Sequence, residues 1–204
     1  MIGPSAPASP PPRCAGLCHT RRAASPRRFP MPSELFETFD RAGQPTGLVA
    51  RNKVHARGLW HKSAHVFLFD AEGHLFIQRR AADKDLYADL WDYSVGEHLT
   101  PGETYLAGAI RGLEEELGVS GVALRQVGDA NAHGVQLPGG GTDNEFQQAF
   151  TGEFHGEIRP DPVEVAEVRT IALESLRVWL ERAPEQFTPW FLRDVFRLGF
   201  LEPL

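Results

Sequence analysis

This sequence of 204 residues has only two cysteines, and its first thirty residues contain no acidic residue. Both cysteines, Cys14 and Cys18, lie in the first thirty residues, so that residues 31–204 contain none. This scarcity excludes a disulfide scaffold, and His19 alone beside the two thiols does not complete a zinc site. The cysteine usage is typical of a reducing compartment, and we expect a cytoplasmic protein.

Long apolar runs are also missing. No stretch approaches the roughly 18 uninterrupted apolar residues that a membrane span needs, so we expect no membrane partner. The formal net charge of −6 argues against a surface dedicated to a nucleic-acid polymer. With 42% hydrophobic and 24% charged residues, the composition is typical of one globular domain that is long enough to bury a core.

Residues 1–30 differ in composition from the rest of the chain. They hold seven of the sixteen prolines and five arginines but no acid, which leaves residues 31–204 with a net charge of −11. Such a segment cannot bury enough apolar surface to offset its ordering entropy, so we predict a disordered Pro/Arg-rich extension over 1–30 and one domain over 31–204. An organelle transit peptide has a similar composition, and a start site at Met31 is the simpler alternative.

The domain alternates between strand and helix patterns. Five apolar runs predict strands at residues 35–39, 64–69, 74–78, 144–154 and 163–171. The second and third of these runs are joined by a short turn and predict an antiparallel hairpin. Two helices follow the last strand, the second beginning with Thr188 as cap and Pro189 as first helical residue. The pattern indicates an α/β layer architecture.

The clearest helix lies at residues 102–117. Leu106, Ile110, Leu113 and Leu117 recur at helical spacing, which predicts that these four side chains form its buried face. Three successive acids, at positions 114 to 116, lie near its C-terminal end, where the helix dipole is also negative. A solvated face is one explanation. A bound Mg²⁺ ion is the other, because this hard cation binds carboxylate and phosphate oxygens together.

The segment around this helix matches seven positions of a known nine-position pattern. That pattern is Gly, five residues, Glu, seven residues, then Arg-Glu-aliphatic-any-Glu-Glu-any-Gly-aliphatic. Here it reads Glu103 followed by Arg111-Gly112-Leu113-Glu114-Glu115-Glu116-Leu117-Gly118-Val119. The departures are Glu97, at the place of the first glycine, and Gly112, at the place of the glutamate after the arginine. The segment resembles the Nudix box, and the resemblance implies a Nudix-type α/β/α sandwich with a mixed central sheet.

The flanking residues resemble the isopentenyl-diphosphate isomerase branch of the Nudix superfamily. They are His61, Gln78-Arg79-Arg80, Lys84, Leu90-Trp91-Asp92, His98, Asp143-Asn144-Glu145 and Phe187-Thr188-Pro189-Trp190. That family has its catalytic cysteine two residues before the loop histidine, where this sequence has Gly96. Glycine has no side chain to hold or deliver a proton, so the resemblance implies a related fold with a different reaction.

The resemblance implies a role for each matching residue around a magnesium ion, with manganese as the alternative. The implied metal ligands are Glu115, Glu116, Glu103, His98, His61 and Asp143. Arg111 is expected to orient Glu115, and both are expected to be catalytic residues. Since Gly112 removes one carboxylate, we expect Asp143 and Glu145, two apart on one strand face, to replace it. Glu145 is then the general base, or an ordinary edge-strand acid.

The remaining implied residues bind the substrate. Arg80 and Lys84 match positions that grip the diphosphate, although surface charge explains them as well. Trp190 matches a tryptophan that covers the hydrocarbon, and a core aromatic is its alternative. His98 is preferred as a site residue over His65 and His74, which we expect to face solvent.

The expected activity is magnesium-dependent hydrolysis of a diphosphate linkage in a small molecule, such as a nucleoside di- or triphosphate or another diphosphate ester. Isopentenyl-diphosphate isomerisation and a non-catalytic diphosphate-binding module are the alternatives. The expected partner is the small-molecule diphosphate itself. The oligomeric state stays open, with a homodimer among the alternatives.

Overall fold

The computed structural model describes residues 34–202, so the prediction of a disordered extension over 1–30 lies outside the described residues. Within this range the strands are β1 Leu35–Phe39, β2 Pro45–Ala50, β3 Trp60–Phe69, β4 Leu75–Arg80, β5 Trp91–Asp92, β6 Val95–His98, β7 Arg125–Gln136, β8 Thr142–Glu153 and β9 Val165–Ile171. The α-helices are α1 Arg51–Arg57, α2 Tyr105–Leu117, α3 Leu173–Arg182 and α4 Pro189–Arg197, and a 3-10 turn at Pro184–Gln186 lies between α3 and α4.

These strands form one mixed sheet around β3. Strands β1, β4 and β6 pair with β3 in antiparallel fashion, and β8 pairs with it in parallel. Strand β8 also pairs with β7, while β4 also pairs with β5 and β9. The predicted hairpin of β3 and β4 and the predicted mixed sheet are confirmed.

Helices cover both faces of this sheet. Side chains of β3 alternate between the two faces, so that Phe67 packs in one apolar cluster and Val66 in another. The first cluster includes Phe191 of α4, and the second includes Leu113 and Leu117 of α2. Two apolar layers around one sheet confirm the predicted α/β/α sandwich.

Two of the helices begin at capping threonines. Thr188 accepts a hydrogen bond from the backbone amide of Phe191, which confirms the predicted cap of α4. Thr104 accepts one from the backbone amide of Ala107, so that α2 begins three residues later than the predicted range. Within residues 34–202, every helix is too short or too polar to cross a membrane.

The buried face of α2 differs from the prediction. Leu106 and Ile110 are 44% and 39% exposed, whereas Ala109 and Gly112 are buried. The spacing of large apolar residues does not reveal that small ones allow a neighbouring strand to approach closely. The helix is therefore turned so that its small residues face β6, and the expectation for Leu106 and Ile110 is wrong.

Candidate active site

Three imidazoles and two carboxylates converge where β3, β6 and β8 lie side by side. Parallel pairing of β3 with β8 places His61 opposite Glu145. Asp143 lies two residues before Glu145 and is buried with it on one face of β8, as predicted. His98 comes from the end of β6 and His55 from α1, an element that the sequence patterns missed. We call these five residues the histidine cluster.

The geometry of the histidine cluster fits a divalent cation. His61 Nε2 lies 3.4 Å and His55 Nε2 3.6 Å from Asp143 Oδ1, and His98 Nε2 lies 3.2 Å from Glu145 Oε1. In the described part of the chain, His55 Nε2, His61 Nε2 and Asp143 Oδ1 are buried without a hydrogen-bond partner. Buried polar atoms of this kind are costly unless a ligand binds them. Imidazole nitrogens and carboxylate oxygens are donors that such an ion prefers.

Phe36 of β1 packs against the three imidazole rings. Its ring centroid lies 5.1 Å from that of His61, 4.7 Å from that of His98 and 6.2 Å from that of His55. His61 Nδ1 lies 3.2 Å from the carbonyl oxygen of Leu59. Because a carbonyl oxygen only accepts, Nδ1 carries the proton and Nε2 directs its lone pair toward the carboxylates. The rings are thus oriented before any ligand binds.

Burial keeps the imidazoles of this cluster neutral. It lowers the pKa of His55 to about 4 and that of His98 to about 3, and it lowers the pKa of His61 as well. Burial, with the adjacent charge of Glu145, raises the pKa of Asp143 to about 8. Burial opposes ionisation of Glu145 too, but the hydrogen bond with His98 holds the pKa of Glu145 well below its ordinary value. At neutral pH the cluster therefore offers neutral imidazole nitrogens beside the ionised carboxylate of Glu145.

Arg111 of α2 is surrounded by carboxylates. Its Nε and Nη2 donate to both oxygens of Glu103 at 3.0 Å and 2.9 Å, and its Nη1 donates to Glu115 at 3.0 Å. Nη1 also lies 3.2 Å from Glu97 Oε1, and Nη2 donates to the carbonyl oxygen of His98. The contact with Glu115 is the one that the sequence predicts. The other contacts tie the loop after β6 to the helix.

Glu115 and Glu116 of α2 lie in different environments. Glu116 is buried, accepts a hydrogen bond from Gln78 Nε2 at 2.6 Å and faces the sheet. Burial, together with the charge of Glu97, raises the pKa of Glu116 to about 8. The side chain of Glu115 is 58% exposed and is bound to Arg111. The two acids expected to hold one metal therefore do not share a surface.

A cleft lies between the histidine cluster and α2. The predicted site residues that line it are Arg80, Lys84, His98, Glu116, Asp143, Glu145 and Trp190. The predicted residues that do not line it are His61, Glu103, Arg111 and Glu115. Lining residues that the sequence reasoning did not assign to the site include Arg51, His65, Asp92, Tyr93, Glu97 and Glu164.

Buried Asp92 organises the predicted substrate-binding side of the cleft. Arg80 Nη1 donates to Asp92 Oδ2 at 3.4 Å, and Trp190 Nε1 donates to the same oxygen at 2.8 Å. The Arg80 guanidinium also lies over the Trp190 ring. Lys84 forms an ion pair with Glu164. Both predicted cations thus border the cleft while bound to carboxylates. The signal for Asp92 was its place in the motif Leu90-Trp91-Asp92.

His65 does not face solvent, and that expectation is wrong. It is buried, with Nδ1 3.3 Å from Asp194 Oδ2 and Nε2 3.9 Å from Glu145 Oε2. Its ring stacks on Tyr93 at a centroid distance of 4.4 Å. Helices cover both faces of the sheet, so strand alternation does not reveal which side is exposed. His74 lies before β4 rather than in it and is partly exposed.

Tyr93 occupies the space beside Gly96. A Cβ atom added to Gly96 would lie 2.6 Å from Tyr93 Cε2, a separation that side chains do not adopt without displacement of the ring. A cysteine at position 96 would therefore require Tyr93 to move. The structure has an aromatic ring next to the position where the resemblance expects a reactive side chain.

The family comparisons agree with this architecture. The NUDIX domain profile matches residues 59–191. An isopentenyl-diphosphate Delta-isomerase of Serratia proteamaculans is 34% identical over 166 residues, covering 81% of this chain and 92% of its own. The corresponding protein of a Jannaschia species is 36% identical over 144 residues, covering 70% and 81%.

Solved structures show the same fold. A crystal structure of a protein from Deinococcus radiodurans has a TM-score of 0.67 and 22% identity, covering 81% of this chain and 99% of that one. The MutT protein of Methanosarcina mazei has a TM-score of 0.55 and 21% identity, covering 68% and 91%. The chain belongs to the Nudix family, in the branch that is similar to isopentenyl-diphosphate isomerases.

Proposed function

We propose that this Nudix enzyme hydrolyses a diphosphate linkage in a small molecule with the help of a divalent cation. The observation that carries the proposal is Gly96 packed against Tyr93. Isomerisation moves a proton onto carbon and another off it, and position 96 has no group to do so. The groups that do line the cleft are carboxylates, histidines and cations, which suit attack of water on a phosphate.

The proposed cation ligands are Glu116 on one side of the cleft and, in the histidine cluster on the other side, His61, His98 and Asp143 together with His55. A bound Mg²⁺ or Mn²⁺ ion neutralises phosphate charge and lowers the pKa of bound water. The imidazoles favour Mn²⁺ at the histidine cluster, and carboxylate oxygens favour Mg²⁺ at α2. Glu103 and Glu115 stay predictions, since Arg111 binds both of them.

Glu145 is the proposed general base. It lines the cleft, is buried, and accepts a hydrogen bond from Gln147 Nε2 at 2.6 Å. Because the adjacent His98 favours its ionised form, Glu145 is able to accept a proton from water at neutral pH. Arg111 lies outside the cleft, so we assign it a positioning role toward Glu103 and the loop carbonyl of His98.

Arg80, Lys84 and Trp190 are the proposed substrate contacts. The guanidinium and the ammonium both border the cleft, and each has one carboxylate neighbour. A substrate phosphate would replace those carboxylates as partners of the two cations, or would bind the cations together with them. The Trp190 indole is fixed by Asp92 and presents an apolar surface for the organic part of the substrate.

An assay of the release of inorganic phosphate, pyrophosphate and monophosphate esters tests the proposal. The panel contains nucleoside di- and triphosphates, dinucleotides, thiamine diphosphate and isoprenyl diphosphates, each with Mg²⁺ and with Mn²⁺. We expect release to require the cation, and Glu116→Gln to lower kcat/KM at least about 10-fold. Glu114→Gln, at an exposed position on the same helix, serves as control. A wild-type rate in Glu116→Gln would refute the metal assignment.

Isopentenyl-diphosphate isomerisation is the second candidate, and the relatives support it better than they support hydrolysis. The identities of 34% and 36% are to proteins named isopentenyl-diphosphate Delta-isomerase. Incubation of the pure enzyme with isopentenyl diphosphate, followed by NMR of the products, separates the candidates. The allylic isomer would establish isomerisation and overturn the argument from Gly96. Calorimetric binding of diphosphates without turnover would instead indicate a non-catalytic module.

A further inference from the structure

The two departures from the Nudix box touch each other in the folded protein. Gly112 of α2 faces β6, and a Cβ atom added to it would lie 2.6 Å from Val95 Cγ1 and 2.9 Å from Glu97 Cβ. A glutamate at position 112 would therefore collide with the glutamate at position 97. The box pattern has glycine at 97 and glutamate at 112, so this chain has exchanged the two residue types across one contact.

The exchange leaves a carboxylate next to the same turn of the helix. Gly112 and Glu116 are four residues apart and lie on one helix face. The Glu97 side chain packs over Gly112, is largely buried and lines the cleft together with Glu116. Glycine at 112 is thus what gives the Glu97 side chain its position beside Glu116.

Arg111 does not account for all the negative charge around it. Its single guanidinium contacts Glu97, Glu103 and Glu115, while Glu116 receives only the neutral amide of Gln78 among the contacts described. Lys84, the nearby cation of the cleft, is bound to Glu164. The excess of carboxylates is expected where a divalent cation binds.

A second observation in the same cleft points to a cation. Asp143 also lines it, is more than nine-tenths buried, and has an Oδ1 atom that receives no hydrogen bond from any residue between 34 and 202. The cleft therefore holds an acceptor without a donor on one side and the Glu97 and Glu116 carboxylates on the other.

We propose that Glu97 replaces the box glutamate lost at Gly112 and binds a divalent cation together with Glu116. The inference rests on the proposed cation-dependent function, and it adds a ligand from β6 that the box pattern does not contain.

Direct cation binding tests the inference without relying on turnover. Mn²⁺ is titrated into the metal-free full-length protein, and free Mn²⁺ is followed by EPR. The titration is repeated in a His61→Asn background so that ions at the histidine cluster and at α2 are counted separately. The variants are Glu97→Gln, which keeps the side-chain volume, the double variant Glu97→Gly with Gly112→Glu, which reverses the exchange, and Glu114→Gln as matched control.

We expect Glu97→Gln to weaken Mn²⁺ binding at α2 about 10- to 100-fold. The double variant should regain wild-type affinity, whereas Gly112→Glu alone should unfold at a lower temperature because of the collision with Val95. Glu97→Gln that binds Mn²⁺ as tightly as Glu114→Gln overturns the inference, and so does a wild-type protein with no ion at α2. Mn²⁺ binding that depends on Glu97 without any hydrolysis supports the inference while refuting the proposed function.

Discussion

The buried polar groups on the two sides of the cleft differ in how far the chain itself supplies their partners. In the histidine cluster, His61 Nε2 and Asp143 Oδ1 are buried without partners in the described range 34–202. On the α2 side, Arg111 binds three carboxylates and Gln78 binds Glu116. The first side is arranged for a ligand that the chain does not supply. The second is partly compensated by the chain itself, so its dependence on a cation should be smaller.

Removal of the proposed base should have the largest effect on activity. Glu145→Gln keeps the volume of the side chain but removes the proton acceptor, so kcat for diphosphate hydrolysis should fall by about 10²- to 10⁴-fold. Steady-state kinetics with saturating Mg²⁺ measures this. Glu153→Gln, at the exposed end of the same strand, should keep the wild-type rate. A decrease of less than about threefold in Glu145→Gln would remove Glu145 from the role of base.

Replacement of Phe36, whose ring packs against the three imidazoles, should weaken metal binding in addition to lowering stability. Phe36→Ala and Phe39→Ala each remove a buried aromatic from β1, and each should lower the free energy of unfolding by about 3–5 kcal/mol. Phe36 contacts three histidines, whereas Phe39 packs on Phe146. Urea unfolding and Mn²⁺ titration should therefore show weaker binding only in Phe36→Ala. Equal affinity in both variants would mean that the ring does not orient the ligands.

One group from each side of the cleft, His98 and Glu116, should change the stability with pH in opposite directions. His98 has a folded pKa of about 3 against an ordinary 6.5, so below pH 6.5 the unfolded chain takes up protons and the free energy of unfolding falls. Glu116 has a folded pKa of about 8 against 4.5, so the folded chain holds the extra proton and stability falls as the pH rises from 4.5 to 8.

Metal-free urea unfolding from pH 4 to pH 9 measures both slopes, which overlap between pH 4.5 and pH 6.5. Each group contributes a slope of at most about 1.4 kcal/mol per pH unit. His98→Asn should remove part of the gain in stability that occurs as the pH rises to 6.5, and Glu116→Gln should remove part of the loss that occurs between pH 4.5 and pH 8. If His98→Asn changed the slope above pH 6.5 instead, the assignment of neutral histidines would be wrong.

The smallest effect is expected at Glu115. Its side chain is exposed and forms an i,i+4 ion pair with Arg111, so Glu115→Gln should lower the free energy of unfolding by less than about 1 kcal/mol. Mn²⁺ affinity should fall less than in Glu116→Gln. Equal losses of affinity in the two variants would show that both acids bind the ion, as the box resemblance implies, and that the helix rearranges when the ion binds.

Local patterns in the sequence predicted local structure well. The hairpin of β3 and β4, the Thr188 cap and the presence of α2 follow from neighbouring residues, and all are found in the structure. The buried face of α2 was predicted only in part, at Leu113 and Leu117, because the contact that orients the helix joins Gly112 to β6 and depends on small residues rather than on apolar periodicity.

The candidate site was predictable where a motif marks it. Asp143, Glu145 and His98 were found through the resemblance and do line one cleft. His65 was missed because its strand is covered on both faces, and Glu97 was seen only as a departure from a pattern. Periodicity in the sequence does not predict the roles of His65 and Glu97, because each role depends on partners on another strand or helix.

The sequence by itself determined the family, the α/β class and the types of ligand that this protein carries, because the box residues and capping signals act within a few residues of one another. Only the tertiary structure decided which of those groups meet. The parallel register of β3 with β8 brings His61 to Glu145. The close approach of β6 to α2 leaves room for the side chain of Glu97 but not for one at Gly112. Such contacts join distant parts of the chain, and packing rather than local preference selects them.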